Sequence, residues 1–176
     1  MNAALVGKVG VVRDRDKLFS EALSQLGPAL ARVAAGYEAD REVRRDLLQE
    51  MHAALWRSLE AFDGRCSLKT WTWRVAHNVG ASHLGRHRAK FVELEDLAVE
   101  NDVEAWLDRS RALERLTGLV HALKAADRQL LMLYLEGLDA GLISEVTGLS
   151  TSNVATKIHR LKATLARRFH EGARHA

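Results

Sequence analysis

Ser152, Asn153, Thr156, Lys157 and Arg160 bring hydroxyl, amide, ammonium and guanidinium groups to one short stretch of chain. These groups bond phosphate oxygens and base edges, so the chemistry they offer is recognition rather than bond breaking. On a helix they lie away from Val154, Ile158, Leu161 and Leu165, which repeat at four, three and four residues and form one apolar stripe. Leu142-Ile143-Ser144-Glu145-Val146-Thr147-Gly148 precedes them and reads as a short scaffold helix closed by a turn glycine, with small Ser144 where two helices cross. Ser150 or Thr151 supplies the cap of the next helix. The pattern is a helix-turn-helix with its turn at Gly148-Leu149-Ser150 and a reading helix from about Thr151 to Arg168, and its ligand is DNA. An ordinary helical hairpin with a charged outer face is the alternative; the coincidence of glycine, cap, stripe and basic face favours DNA.

A second basic block lies upstream. Between Arg65 and Lys90 there is no acidic residue, whereas Arg65, Lys69, Arg74, Arg86, Arg88 and Lys90 are all present. From Phe91 to Asp108 the sign reverses, with Glu93, Glu95, Asp96, Glu100, Asp102, Glu104 and Asp108 and no lysine or arginine. Two basic blocks flanking an acidic strip suggest two polyanion-binding surfaces and a connector that avoids the polyanion, although the net charge is only +3.

The same residue types exclude other classes. His83 and His87 are spaced i, i+4, which can bind zinc, but no glutamate accompanies them and their surroundings are basic. No nucleophile constellation and no phosphate-cradling glycine loop is present, so neither an enzyme nor a cofactor or metal is expected. No apolar run approaches the ~20 residues that span a bilayer, so membrane insertion is not expected. The lone Cys66 excludes an internal disulfide framework and suits a reducing cytoplasm. Met1 to Val12 lacks a basic start and a cleavage site, and reads as a frayed arm rather than a secretory signal.

The elements that must position these residues are helical. The chain has one proline, Pro28, and little β-branched alternation. Asp16 to Gln25 and Pro28 to Ala35 read as two short helical pieces flanking the Gly27-Pro28 break. Val43, Leu47, Met51, Leu55 and Leu59 make Asp40 to Glu60 an amphipathic helix that ends before Phe62-Asp63-Gly64. Ser67 can cap a third helix running to about Arg88. Beyond the acidic strip, Trp106, Leu113, Leu116, Leu119 and Leu123 line one helix, and Leu130, Leu131, Leu133 and Leu135 pack the next, which Gly137 closes. The expected fold is all-α: a flexible arm over 1–15, a helical domain over 16–90, an acidic linker over 91–104 and a helix-turn-helix domain over 105–170.

Asp46-Leu47-Leu48-Gln49-Glu50, Leu55-Trp56-Arg57, Phe62-Asp63 and Trp71-Thr72-Trp73-Arg74-Val75-Ala76-His77-Asn78 together resemble region 2 of bacterial extracytoplasmic-function (ECF) sigma factors. Leu133 to Leu138, followed by the helix-turn-helix through Lys157-Ile158-His159-Arg160, resembles their region 4. The resemblance spans roughly Lys17 to Arg168 and implies an alternative sigma factor that binds core RNA polymerase and recognises minus-35 and minus-10 promoter elements. It implies that Asp46, Gln49 and Glu50 face the β′ clamp helices, with the β flap as a further polymerase contact. Arg65, Lys69, Trp73, Arg74, Asn78, Arg86 and Arg88 become the minus-10 candidates, and Ser152, Asn153, Thr156, Lys157 and Arg160 the minus-35 candidates. Trp71 and Trp73 lie two apart and cannot share a helix face; whether either touches DNA or packs in the core is left open by their spacing. The loop from Phe62 to Lys69 corresponds to the family's base-capturing loop, which makes Cys66 a neighbour of nucleic acid. Family habit also implies an anti-sigma partner. Leu142-Ile143-Ser144 replaces the usual Glu-Ile-Ala, Thr147 stands for an aliphatic and Ala155 for a common lysine, which weakens the implied minus-35 contact. The rival reading is a helix-turn-helix regulator that acts without polymerase, which leaves the Asp46 to Asn78 pattern unexplained.

Overall fold

The computed structural model describes residues 14–87 and 104–173; the N-terminal arm, most of the acidic linker and Arg88 lie outside them. Among the described residues there are seven α-helices and no strand: α1 (Arg15–Tyr37), α2 (Arg41–Ser58), α3 (Leu68–His87), α4 (Glu104–His121), α5 (Ala125–Leu135), α6 (Ala140–Thr147) and α7 (Thr151–Ala173), with a 3-10 turn at Leu59–Ala61 after α2.

Short polar side chains start most of these helices by accepting bonds from backbone N–H groups that have no partner within the helix. Asp14 accepts from Asp16 N (3.1 Å), Asp40 from Glu42 N (2.8 Å) and Val43 N (3.0 Å), and Asp139 from Leu142 N (2.8 Å). Ser67 caps α3 through Thr70 N (3.0 Å), and Ser150 rather than Thr151 caps α7 through Asn153 N (3.3 Å). Gly137 and Gly148 follow α5 and α6 at φ of 76° and 74°, the left-handed conformation that glycine adopts without a Cβ penalty.

Two expectations need correction. Gly27-Pro28 does not break the first segment: α1 runs unbroken through Pro28. The ring lies on the exposed side of the helix, where the missing N–H and its unpaired carbonyl face outward, and packing of the opposite side outweighs the local cost. The leucine stripes of α4 and α5 are also less buried than their spacing suggests. Leu113, Leu116 and Leu135 are 64%, 39% and 58% exposed, whereas Val120, Leu130, Leu131 and Leu133 are buried.

Packing joins both halves. One cluster runs from Leu30, Val33, Leu47, Met51 and Trp73 on α1 to α3 through to Leu131, Ile143, Val154 and Ile158 on α5 to α7. A smaller cluster of Ala22, Leu55, Leu59 and Phe62 supports the loop that leads into α3. Where α1 meets α5, Gly36 leaves room for Met132: a Cβ built at 36 would lie 2.6 Å from its Sδ.

Side chains cap helix ends across the seam. Arg128 on α5 is 4% exposed and donates to the Tyr37 carbonyl at the end of α1 (3.4 Å), to Leu123 O (3.1 Å) and to His121 O at the end of α4. Burial lowers its pKa from the ordinary arginine value, and the partial negative charge at two helix C-termini compensates the buried cation. His121 donates from Nε2 to Ala35 O at 2.8 Å. Nearer solvent, Arg32 and Glu136 form a bidentate pair, both bonds 2.6 Å long.

Inside the first half, Tyr37 and His77 share a 2.9 Å hydrogen bond, and Gly80 lets the Tyr37 ring approach: an added Cβ would sit 2.6 Å from it. Burial pushes the His77 pKa down to about 3, so the folded state holds this ring neutral. Its contribution is whole above the ordinary value near 6.5 and is lost as pH falls from there towards 3. Between pH 6 and 4.5, His77→Gln should therefore flatten the slope of unfolding free energy on pH by about 1.4 kcal/mol per unit; urea titrations at several pH values measure it. Arg128→Met, which leaves three carbonyls without a donor, should lower stability by about 2 to 4 kcal/mol in the same assay.

Candidate nucleic-acid interface

The helix-turn-helix positions its outward face by burying the other one. Val154 is 0% exposed, and Ile158 and Leu165 are buried with it against α5 and α6. Ser144 is placed as its size requires, its hydroxyl donating to Leu149 O across the turn (2.6 Å). Thr147, in the place of an aliphatic, bonds back to Ile143 O (2.7 Å) and accepts from Leu149 N (3.3 Å), so its hydroxyl is used within the turn. With that framework set, Ser152, Asn153, Thr156, Lys157 and Arg160 are all exposed. The Ser152 hydroxyl lies 3.2 Å from that of Ser150, and Lys157 makes a 3.8 Å ion pair with Asp127 of α5.

The α3 candidates divide. Lys69, Arg74, Asn78 and Arg86 are exposed along the helix, and Arg65 is exposed on the loop before it. Trp73 is 1% exposed in the core against the His77 ring, and of the two alternatives left by its spacing it takes packing. Trp71 is half-buried, stacked edge-on to Phe62, and donates from Nε1 to Ser58 Oγ at 2.9 Å. Both tryptophans anchor α3 from beneath, and the polar face does not include Trp73. The missing aromatic signal was legible only as an ambiguity, because residues two apart on a helix leave one of the pair to be assigned by packing.

Several candidates already have partners. Arg65 pairs with Asp63 at 2.6 Å, and the Arg65 backbone N–H, followed by its guanidinium charge, holds the Asp63 carboxyl below its ordinary pKa. Arg86 donates from Nη2 to both carboxylate oxygens of Glu50 (3.0 and 2.8 Å). Arg74 donates from Nε (3.0 Å) and Nη2 to the backbone carbonyl of Glu145 on α6, a helix-end carbonyl. Thr70, 1% exposed, donates to the Glu145 carboxylate at 3.2 Å. Sequence reasoning missed Thr70, Glu145 and Arg128. Arg128 carried a usable signal, since it stands three and four residues before Leu131 and Met132 on the apolar face of α5.

A polar crevice of about 900 Å³ opens between the 63–67 loop and α6, lined by Arg65, Cys66, Trp71, Arg74, Leu142 and Glu145 among others. Cys66 is half-buried there, its thiol free. On the other side of the first half, Asp46 and Gln49 are exposed on α2. Gln49 borders an almost wholly apolar groove of about 540 Å³ with Phe19, His52, Ala53, Trp56 and Arg57. His83, a candidate metal ligand by spacing, is buried with its Nε2 2.8 Å from Glu38. Burial alone would raise the Glu38 pKa, but the bond to His83 and those from the backbone N–H groups of Asp40 and Ala39 outweigh it and hold the group low.

The chain matches the family model of sigma-70 region 2 over residues 23–90 and that of sigma-70 region 4 over residues 113–165, together more than half its length. No curated protein matches it significantly by sequence. Among solved structures it is similar to CnrH in complex with the cytosolic domain of CnrY, with a TM-score of 0.63 and 22% identity over 89% of this chain and 90% of that one. It is also similar to the sigma factor RpoE in complex with the anti-sigma factor NepR from Bartonella quintana, with a TM-score of 0.67 and 20% identity over 88% of this chain and 98% of that one. Such identities speak for the fold alone, and the two family regions carry the assignment. With both regions matched in order along an all-helical chain, the protein belongs to the sigma-70 family.

Proposed function

We propose that this chain is a dissociable initiation subunit that captures core RNA polymerase through its region 2 half and reads promoter DNA with both halves. The observation that carries the reading is the outward face of α7, where five polar candidates stand exposed opposite a fully packed stripe. That face suits the major groove of the minus-35 element, with Asn153 and Arg160 at base edges and the hydroxyls and Lys157 on phosphates. Lys69, Arg74, Asn78 and Arg86 of α3, with Arg65 on the preceding loop, are assigned to the minus-10 strand. An unstacked base needs a polar crevice beside cationic groups, and the crevice beneath Arg65 and Arg74 offers one.

Asp46 and Gln49 are assigned to the β′ clamp helices. Their exposure beside an apolar groove supplies a polar rim around an apolar contact, a common plan for stable association. Glu50 joins them only by giving up Arg86. The β flap is assigned to the region 4 half. Both solved structures described above are complexes, one of them with a named anti-sigma factor, which supports a protein inhibitor for this chain as well. The reaction involves no covalent chemistry by this chain. No described helix is long and apolar enough to cross a membrane, and the function places the protein in the cytoplasm with the polymerase.

Run-off transcription with purified core polymerase tests the reading, and failure to form a stable complex would sink it while leaving DNA binding intact. The double substitution Asp46→Ala and Gln49→Ala should reduce co-elution with core polymerase at least about tenfold, as loss of ~1.4 kcal/mol requires, without shifting the thermal midpoint. Lys157→Ala should weaken promoter binding and lower the slope of log affinity on log salt by about one phosphate contact. An unchanged slope would move the DNA face elsewhere.

A further inference from the structure

We infer that Arg167, two turns beyond the minus-35 residues assigned above, makes a further contact to a phosphate of the backbone that borders the major groove, and that Arg115 of α4 positions it by clasping the end of α7. The inference rests on the minus-35 assignment of α7 made above.

An α-helix turns about 100° per residue, so residues seven or eleven apart return to nearly the same side. Arg167 follows Arg160 by seven residues and Thr156 by eleven, and lies between them in angle, about 20° from each. It is exposed, and it continues their stripe on the side of α7 opposite the buried Val154, Ile158 and Leu165. Asn153 and Arg167 stand about 21 Å apart along the axis, whereas the major groove is only ~12 Å wide. One end of the stripe can therefore meet base edges while the other meets the phosphate backbone beside the groove. A guanidinium there takes two phosphate oxygens at once. From Thr151 to His170 there is no acidic residue, and Arg167 makes no hydrogen bond or ion pair among the described residues. The adjacent Arg168 has the same charge but lies about 100° further round, towards the packed stripe.

Helix ends fray unless something holds them, and the end of α7 is held by α4. Arg115 donates from Nη2 to Phe169 O at 2.6 Å, and its guanidinium carbon lies 4.9 Å from the centre of the Phe169 ring. Phe169 is half-buried, and Leu165, one turn earlier, is buried. Phe169 follows Arg167 by two residues, so this clasp fixes the turn that carries the arginine. Contacts to phosphate carry no sequence information but set register and orientation on the duplex. Arg167 is thus assigned to orienting α7 across the groove, with Asn153 and Arg160 left to meet base edges.

Binding of a duplex that the wild-type chain enriches from a random-sequence pool tests this, beside a scrambled duplex of equal length. Arg167→Ala should weaken both severalfold and lower the slope of log affinity on log salt by about 0.9, and Arg167→Lys should restore the slope. Arg168→Ala, with the same change in net charge, should keep the wild-type slope. A wild-type slope in Arg167→Ala, or an equal fall in Arg168→Ala, overturns the inference and leaves the minus-35 reading standing. If the wild-type chain enriches no duplex, that reading falls and the inference with it. Phosphate ethylation of the enriched duplex gives a second measurement: one phosphate that interferes with wild-type binding should cease to interfere with Arg167→Ala, and an unchanged pattern also overturns the inference. Arg115→Met should lower the salt slope of the wild-type chain but not that of Arg167→Ala; falls that add in the double variant overturn the positioning role of Arg115.

Discussion

An α-helix ends with carbonyls that have no donor of their own, and those of α1 are met by side chains from the other half of the chain. His121 takes Ala35 O and Arg128 takes Tyr37 O, while the same guanidinium reaches the end of α4. In the opposite direction Arg74 of α3 takes a carbonyl at the end of α6. A buried cation is costly unless it is compensated; helix C-termini supply acceptors to both Nη groups of Arg128 and a favourable partial charge, while its buried Nε has no hydrogen-bond partner among the described residues. These bonds act together with the apolar cluster that crosses the seam to set how the halves dock, including the cover over Met132 and the position of α6 on α3.

Beneath the seam, a layer of aromatic and imidazole groups holds α3 to α1. Tyr37 bonds His77, Trp73 stacks beside it, and His83 reaches Glu38. These contacts fix the rotation of α3 about its axis, and rotation decides which residues face out. Trp73 is turned inward by that constraint, and Lys69, Arg74 and Asn78 are turned outward. Keeping His77 neutral couples the layer to pH, so that acid loosens the support of the same helix that presents the cationic face.

Internal partners recur across the recognition surface. Glu50 holds Arg86, Asp63 holds Arg65, Asp127 lies near Lys157 and Glu145 holds Arg74. Each exposed pair contributes little to stability, but each must be exchanged when a phosphate or a partner protein arrives. A ligand then gains only the difference between its own interaction and the one displaced. On the promoter-reading function proposed above, affinity for DNA depends on several such exchanges occurring together, which favours a complete promoter over isolated phosphate contacts.

The one-dimensional pattern carried most of the local structure. Helix starts at Asp40, Ser67 and Ser150, the stops at Gly137 and Gly148, and the Val154 to Leu165 stripe were legible because caps, left-handed glycines and helical periodicity act over a few residues. Both family regions were legible for the same reason, as short motifs in order. Other features depended on residues far apart in the chain. Pro28 is carried through α1 because the packed side of that helix outweighs one missing bond; Leu113 and Leu135 stay exposed because nothing described covers them to the extent their spacing implies. The fate of Trp73, the burial of Arg128 and the pairing of Glu145 with Thr70 and Arg74 were decided only by tertiary structure. A helix pattern says which side chains share a face, but the partner that faces them depends on how the helices dock, and docking here is set by the apolar cluster that crosses the seam together with charged groups finding helix ends across it.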